Sequence, residues 1–193
     1  MKLVMIRHGE PRYDNVHDLG LVSYLGELTE AGVAQAEAVS NDVRLQDADI
    51  IISSPFTRAL QTAAIISRKT GIPIEIEPAF HEILLDTTHQ RTTGKIYTSS
   101  SYKEFVIQKG VRDSTTFHKW ESLEHIVERG HTAMKKYLHY NKVIVVAHAT
   151  FIRTFGYKEQ KFPYCGIFER DFDENSEFES FVTWDPRNDN KEV

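Results

Sequence analysis

The sequence is poor in cysteine, and Cys165 is the only one among 193 residues. A single thiol cannot form an intramolecular disulfide, and no cysteines and histidines are grouped at the spacing of a structural zinc site. These absences exclude a small disulfide-rich secreted fold and a zinc-stabilised module. They are typical of a protein in a reducing compartment.

Long hydrophobic runs are absent as well. The apolar run before Arg7 is only about five residues long, whereas a membrane-spanning helix needs about 18 and a secretory signal needs a cleavage site. We therefore expect no membrane partner. Together with the lone cysteine, this absence predicts a cytoplasmic location.

The chain also lacks excess positive charge. It has 23 Lys and Arg residues and 28 Asp and Glu residues, so its net charge is -5 at pH 7. This balance argues against nucleic acid as a partner, although a local cationic pocket can still bind a small anion. With 40% hydrophobic and 26% charged residues, the composition is that of an ordinary globular protein. A chain of this length without repeats or linkers is expected to form a single domain over residues 1–193.

What the sequence does contain is an alternation of apolar runs and amphipathic segments. Three short apolar runs predict strands buried on both faces, as in a parallel sheet, and the segments between them have helical spacing. The pattern indicates an α/β fold. The predicted strands cover residues 3–6, 49–54 and 142–148, and the predicted helices cover residues 29–45, 55–70, 120–140 and 149–155.

Charged side chains stand where the predicted strands end. Arg7 and His8 follow the first strand, His148 ends the third, and Arg58 lies in the first turn of the helix after the second. The carboxyl ends of parallel strands meet at one edge of a sheet, and ligands bind there. We therefore expect these four side chains to converge, with Glu82 supplied by a further segment.

Two arginines and two histidines at one edge suit a particular ligand. Guanidinium groups are planar, permanently charged forks that match phosphate oxygens. Ala149 opens the predicted helix after His148, where free backbone N–H groups face an anion. The sequence therefore predicts a pocket for a small phosphorylated substrate or inorganic phosphate, and no metal site.

Less regular segments complete the chain. Residues 72–76 predict an edge strand, since Pro73 cannot donate a ladder hydrogen bond. Residues 165–169 and 178–184 predict two closing strands, antiparallel at an edge. The remaining predictions are a loop at 11–28, a lid-like excursion at about 84–118 that is partly helical at 102–108, and a solvated tail at 185–193.

Five groups of residues together resemble the histidine phosphatase superfamily, which includes the cofactor-dependent phosphoglycerate mutases. They occur in the family's order over most of the chain, and their combination is far more specific than an isolated Arg-His-Gly tripeptide. The groups are Arg7-His8-Gly9-Glu10, Leu28-Thr29-Glu30-Ala31-Gly32 with Gln35-Ala36, Ser53-Ser54-Pro55 with Arg58-Ala59 and Gln61-Thr62-Ala63, Phe80-His81-Glu82-Ile83, and Val146-Ala147-His148.

The resemblance implies a three-layer α/β/α sandwich with a mostly parallel central sheet, and catalysis through a phosphohistidine. By that analogy His8 is the nucleophile and Glu82 donates the proton to the leaving group. Arg7, Arg58 and His148 hold the transferring phosphoryl group. This chemistry needs no metal or other cofactor, because two guanidiniums and an imidazolium neutralise the charge on the phosphoryl oxygens. The implied enzyme is a phosphoric monoester hydrolase of the histidine acid phosphatase type.

The neighbours of His8 bear on its chemistry. Nearby guanidiniums disfavour the protonated ring and keep its attacking nitrogen free near neutral pH. Glu10 has two interpretations at this stage. It either orients His8 or an arginine, or it is a plain turn carboxylate.

Departures from the family's pattern favour hydrolysis over mutase activity. A glycine commonly follows the second histidine, where this chain has Ala149 and Thr150, and the common Trp-Asn after the first motif is replaced by Tyr13 and Asp14. The excursion is also short for a mutase, which must retain and reorient a bisphosphorylated intermediate. We therefore expect net hydrolysis of a small phosphorylated metabolite.

Alternatives stay open. The chain can be a mutase-type phosphotransferase, or an inactive member that binds a phosphorylated ligand or a partner protein. A metal hydrolase is the weakest alternative, because His118, His125 and His131 are predicted to lie along a solvated helix face. A monomer and a homodimer are both compatible with the sequence. Substrate selection is expected from loop residues, with Arg12, Tyr13, Arg91, Lys95, Tyr97, Tyr102 and Lys103 as candidates.

Overall fold

A computed structural model describes residues 1–14, 23–88, 95–159 and 161–176. The predicted strand at 178–184, the predicted tail at 185–193 and Arg91 lie outside the described residues. The strands are β1 (Lys2–Arg7), β2 (Pro11–Arg12), β3 (Glu27–Leu28), β4 (Ile50–Ser53), β5 (Ile74–Ile76), β6 (Lys142–Ala147) and β7 (Ile167–Asp171). The α-helices are α1 (Glu30–Val39), α2 (Thr57–Thr70), α3 (Lys95–Ile107), α4 (Leu123–Met134) and α5 (Ala149–Arg153).

The central sheet has the strand order β5-β4-β6-β1-β7. Its strands run parallel except β7, which is antiparallel to β1 at the edge. This arrangement confirms the mostly parallel sheet, the edge strand near residue 74 and the antiparallel closing strand. Arg7 lies opposite Ala147, and Ser53 lies opposite Val146, so β1, β4 and β6 end level with one another.

The sheet is covered by helices on both faces. Leu3 and Met5 of β1 belong to a core cluster on one face, whereas Val4 and Ile6 belong to a second cluster on the other. This layering confirms the three-layer α/β/α sandwich. The helix residues in the first cluster include Phe105, Ile126, Met134, Phe151 and Ile152, and those in the second include Ala59, Ala63 and Ile66.

The ends of two helices differ from the predictions for local reasons. α1 ends at Val39, before the end of its predicted range, because the side chains of Ser40 and Asn41 both donate to the carbonyl of Glu37. A separate 3₁₀ turn, Val43–Leu45, follows.

The predicted loop at 11–28 contains a short antiparallel pairing of β2 with β3.

α4 is shorter than the predicted helix at 120–140. The Ser122 hydroxyl accepts a backbone hydrogen bond from the first turn, so the helix begins at Leu123. Trp120 precedes this cap and is fully buried in the core. The helix ends at Met134 and continues as the 3₁₀ turn Lys135–Tyr137. None of the helices within the described ranges is long and apolar enough to cross a membrane.

The excursion contains α3, which begins earlier than the predicted helix at 102–108. Phe105 packs edge-on against Trp120, with ring centroids 5.3 Å apart. Glu104 accepts hydrogen bonds from the backbone and ring of His118 and from the Trp120 indole. Burial disfavours the charged form of Glu104, but the donors outweigh it and lower its pKa to about 2. Packing and this carboxylate therefore fasten α3 to the core.

The three histidines considered as metal ligands do not share a solvated helix face, so that prediction was wrong. His118 precedes α4 and contacts the carboxylate that anchors α3. His131 stacks on Phe155 at 4.6 Å, and burial lowers its pKa. His125 alone is exposed. In the part of the chain that the structure describes, no three His, Cys, Asp or Glu side chains are placed to hold a metal ion.

Candidate active site

The level strand ends bring the predicted side chains to one edge of the sheet. The N–H of His8 donates to the carbonyl of Ala147 at 3.0 Å, which extends the ladder between β1 and β6 by one residue. The N–H of Ser54 likewise donates to the carbonyl of Val146 at 2.9 Å. Arg58 follows in the first turn of α2 and is buried. The strand ends thus bring His8, Arg58 and His148 together, as predicted.

Arg58 lies between the two histidines and donates to both. Its Nε donates to Nε2 of His8 at 3.1 Å, and its Nη2 donates to Nδ1 of His148 at 3.1 Å. The two imidazole rings lie 5.0 Å apart between centroids. One guanidinium therefore fixes the relative position of both rings.

These contacts define which ring nitrogens carry protons. Nδ1 of His8 lies 2.7 Å from the carbonyl oxygen of Gly9, which can only accept, so Nδ1 is the protonated nitrogen. Nε2 of His8 then keeps its lone pair toward Arg58. Nδ1 of His148 accepts from Arg58, so Nε2 of His148 carries the proton and donates to the Ser54 hydroxyl at 2.8 Å.

Both histidines are neutral near pH 7. The pKa of His8 is lowered well below 6.5, first by burial and then by the charges of Arg58 and Arg7. The pKa of His148 is lowered in the same direction by burial and by Arg58. The buried site thus holds an unprotonated Nε2 on His8, the form that attacks an electrophile.

The low pKa values of these histidines make folding stability depend on pH. An unfolded histidine takes up a proton below about pH 6.5, whereas His8 and His148 stay neutral in the folded chain, so acid favours unfolding. We expect the free energy of unfolding to fall by about 1 kcal/mol for each of the two histidines between pH 7.5 and 5.5. Urea denaturation in a phosphate-free buffer measures this loss. Equal stability at both pH values contradicts the neutral state of the two histidines. So does a free energy of unfolding that depends on pH as strongly in the double variant His8→Gln/His148→Gln as in the wild type.

Arg7 lies at the end of β1, directly before His8. Its Nη1 donates to the carbonyl of Phe162, and its Cζ lies 4.1 Å from the centroid of the Tyr164 ring. Its Nε is buried and has no hydrogen-bond partner among the residues that the structure describes. Arg7 is therefore oriented by its surroundings while one of its donors stays available.

Glu82 lies against the first turn of α5. Its Oε2 accepts the N–H of Thr150 at 3.1 Å, and its Oε1 accepts the N–H of Ile83 at 2.9 Å. The carboxylate is thus held next to His148, which directly precedes α5. The amide after Ala149 is therefore already bound to Glu82, and phosphate binding by Ala149 itself stays a prediction.

The loop after β1 is braced by residues whose roles the sequence did not reveal. The N–H of Gly9 donates to the hydroxyl of Thr62 at 3.1 Å. A side chain at Gly9 would place its Cβ 2.5 Å from the carbonyl oxygen of Gly32, so only glycine fits. Glu10 accepts a hydrogen bond from the Thr29 hydroxyl at 3.2 Å, which makes it a loop-bracing carboxylate.

Aromatic rings surround the cationic centre, and few of them were predictable from the sequence. The Phe56 ring lies 5.1 Å from the His148 ring and 5.1 Å from Cζ of Arg58. The Tyr164 ring lies 5.8 Å from the His8 ring. The one sequence signal for Phe56 is its place directly after Ser53-Ser54-Pro55, between a strand end and a helix.

A buried ion pair holds the segment that carries Glu82. Arg129 of α4 binds both carboxylate oxygens of Glu121 at 2.7 and 3.0 Å, and it also donates to the carbonyl of Ala79. Glu121 in turn accepts the N–H of Leu84 at 3.2 Å. The ion pair therefore binds the chain on both sides of Glu82, three residues before it and two after it.

Removal of Arg129 is expected to destabilise the fold strongly. Arg129→Met leaves the Glu121 carboxylate buried without its main partner, and we expect a loss of about 3 kcal/mol in the free energy of unfolding. Urea denaturation measures this loss. Arg44→Met is the matched control, because Arg44 forms an exposed ion pair with Asp42 and should cost less than about 1 kcal/mol. Equal losses in the two variants would show that the buried Arg129–Glu121 pair stabilises the fold no more than an exposed ion pair.

The family model for the histidine phosphatase superfamily, branch 1, matches residues 3–176. The match covers most of the chain and includes Arg7, His8, Arg58, Glu82 and His148. The chain therefore belongs to the histidine phosphatase superfamily, as its motifs predicted.

One relative found by sequence is named as a mutase. The chain is 29% identical over 124 residues to a 2,3-bisphosphoglycerate-dependent phosphoglycerate mutase from Thermoplasma acidophilum. The alignment covers 63% of this chain and 60% of that enzyme. The aligned region thus spans less than two thirds of the mutase.

Solved structures share the fold. Bacillus stearothermophilus YhfR superposes with a TM-score of 0.71 at 17% identity, over 94% of this chain and 95% of that one. An α-ribazole phosphatase from Shigella flexneri superposes with a TM-score of 0.59 at 21% identity, over 81% of this chain and 80% of that one.

Proposed function

We propose that this protein hydrolyses the phosphate monoester of a small metabolite through a phosphohistidine intermediate on His8. The observation that carries the proposal is the state of His8. Its ring is neutral, its Nδ1 proton is bound to the Gly9 carbonyl, and its Nε2 lone pair lies beside a guanidinium. A nucleophile with a fixed tautomer next to a phosphate-binding fork is what phosphoryl transfer to nitrogen requires.

The first step transfers the phosphoryl group to the enzyme. Nε2 of His8 attacks phosphorus and forms a P–N bond while the P–O bond to the leaving group breaks. Glu82 gives its proton to the departing oxygen, which leaves as an alcohol. Arg58 transfers its Nε contact from the His8 lone pair to a phosphoryl oxygen as the substrate enters.

The second step regenerates the enzyme. Ionised Glu82 takes a proton from a water molecule, whose oxygen attacks phosphorus as the P–N bond breaks. Inorganic phosphate leaves, and the electron pair returns to Nε2 of His8. Arg7 and Arg58 hold the phosphoryl oxygens through both steps, with the Ala149 N–H as a further donor. His148 joins them as its Nε2–H turns from the Ser54 hydroxyl to a phosphoryl oxygen.

Mutase activity is the second candidate, because the Thermoplasma relative is described as a phosphoglycerate mutase. A mutase returns the phosphoryl group to a different oxygen of phosphoglycerate instead of to water. An inactive binding member is a weaker candidate, since phosphate binding alone requires neither a neutral nucleophile nor an acid. The substrate expected for the hydrolase is a small phosphorylated molecule, and the lone cysteine supports a cytoplasmic location.

One assay separates these candidates. The wild-type protein is incubated with a panel of phosphate esters, and separately with 3-phosphoglycerate plus a catalytic amount of 2,3-bisphosphoglycerate, all in EDTA, and inorganic phosphate and 2-phosphoglycerate are both quantified. Acid-labile, base-stable phosphate on the quenched protein reports the phosphohistidine. Phosphate release with a trapped intermediate supports the hydrolase, isomerised phosphoglycerate supports the mutase, and phosphate binding without turnover supports the inactive member.

A further inference from the structure

Three aromatic side chains form a continuous surface that leads out of the phosphate pocket. Phe56 contacts His148 and Arg58 at its inner side, and its ring lies 5.4 Å from Tyr24 and 6.0 Å from His81. The Phe56 and His81 rings are nearly parallel, with 23° between their planes. We call Tyr24, Phe56 and His81 the aromatic wall.

The exposure of the wall increases away from the phosphate pocket. His148 is fully buried, Phe56 and His81 are half-buried, and Tyr24 is 42% exposed. A molecule that places its phosphate between Arg58 and the histidines therefore has the wall beside the rest of its length. Planar rings stack favourably on such a surface.

The wall lies on the side from which the leaving group departs. His81 directly precedes Glu82, the group that protonates the leaving oxygen in the proposed mechanism. Nδ1 of His81 donates to the Glu82 carbonyl at 2.7 Å, so ring and acid belong to one ordered segment. The wall therefore runs from His148, in the phosphate pocket, along Phe56 to the segment that carries the acid.

Tyr24 and His81, the outer members of the wall, offer no charge to an anionic leaving group. Burial and the charge of Arg129 lower the pKa of His81, so its ring is neutral near pH 7. Arg129 is the cation with the largest effect on the pKa of His81. Its guanidinium already donates to the Glu121 carboxylate and to the Ala79 carbonyl. A carboxylate beside the wall would therefore lose hydration without gaining a free partner from Arg129.

We propose that the aromatic wall is the leaving-group subsite and that it selects phosphate monoesters whose alcohol carries a planar aromatic ring. This proposal rests on the proposed function for its assignment of the leaving-group side. It names the substrate class that the phosphate pocket alone leaves open, and it disfavours phosphoglycerate.

Binding of unreactive analogues tests the wall without requiring turnover. Benzylphosphonate and cyclohexylmethylphosphonate carry the same charge and the same number of carbons, and only the first has a planar ring. We expect calorimetry to give benzylphosphonate an affinity about 2- to 10-fold higher, the usual value of one aromatic pair beyond its buried area. The ratio should approach one in Phe56→Leu and in Tyr24→Leu. Comparing ratios within each variant cancels any damage to the phosphate pocket itself.

Phe117→Leu is the matched control, because Phe117 is 78% exposed and its ring contacts His118 and not the wall. It should keep the wild-type ratio. Steady-state kcat/KM for benzyl phosphate and cyclohexylmethyl phosphate should show the same preference, and both should exceed kcat/KM for 3-phosphoglycerate.

Each outcome bears on the wall separately from the hydrolysis. Equal affinities in the wild type, or a ratio that persists in Phe56→Leu and Tyr24→Leu, overturn the wall even if esters are hydrolysed. A benzyl preference that is lost in both wall variants supports the subsite even if no ester is turned over, and in that case only the hydrolysis fails.

Discussion

His8→Ala is expected to abolish phosphate release from every ester that the wild type hydrolyses, with kcat lowered by about 10³-fold or more. The variant has no Nε2 to accept the phosphoryl group, so the covalent route is lost and the trapped phosphoprotein disappears. Phosphate binding should persist, because Arg58, His148 and Arg7 remain. Single-turnover assays with radiolabelled ester and calorimetry with inorganic phosphate measure the two properties on the same preparation.

His139→Ala is the control for this substitution, because His139 lies in an exposed turn after the 3₁₀ turn Lys135–Tyr137 and hydrogen-bonds to the nearby Lys136 carbonyl. It should retain wild-type turnover. Residual turnover in His8→Ala within tenfold of the wild type would exclude His8 as the nucleophile. A loss of phosphate binding along with turnover would point instead to a misfolded site, which thermal denaturation of the variant would reveal.

Arg58→Lys is expected to lower kcat/KM by about 10²-fold or more although it preserves the charge. Arg58 donates to His8 through Nε and to His148 through Nη2, and a single ammonium cannot reproduce two directed donors on one rigid plane. The histidine rings lose their common hydrogen-bond donor, and the phosphoryl oxygens lose the planar N–H groups of a guanidinium. Phosphate release across the ester panel measures the effect.

Arg68→Lys provides the comparison, since Arg68 lies exposed in the last turn of the same helix. It should leave kcat/KM unchanged. If Arg58→Lys behaved like Arg68→Lys, the geometry of the guanidinium would be irrelevant and charge alone would explain its role.

The sequence predicted the framework of the site because strand ends are determined by local patterns. Runs such as Leu3 to Ile6 are typical of strands buried on both faces of a parallel sheet, and parallel strands end on one edge. Arg7, His8 and His148 were therefore placed correctly by position alone. Arg58 followed from Pro55, which marks the start of a helix.

The sequence could not predict the contacts that make these residues a site. Arg58 meets His8 across 50 positions and His148 across 90, and no local pattern encodes such pairings. The same limit applies to Arg129 and Glu121, which resemble ordinary surface charges on a helix until the fold buries them. Helix ends failed for a different reason, because the side chains of Ser40 and Ser122 compete for backbone groups.

The position of β1 in the sheet has a consequence for how the protein is made. β1 ends at Arg7, directly before His8, and its partners on both sides, β6 and β7, are translated more than 130 residues after it. On the ribosome, the strand before His8 therefore stays unpaired until residues 142–171 have emerged, and closing such distant pairings is slow. Arg7, His8 and His148 can converge only after β6 has been translated, so a nascent chain carries the earlier motifs of the family before these side chains meet.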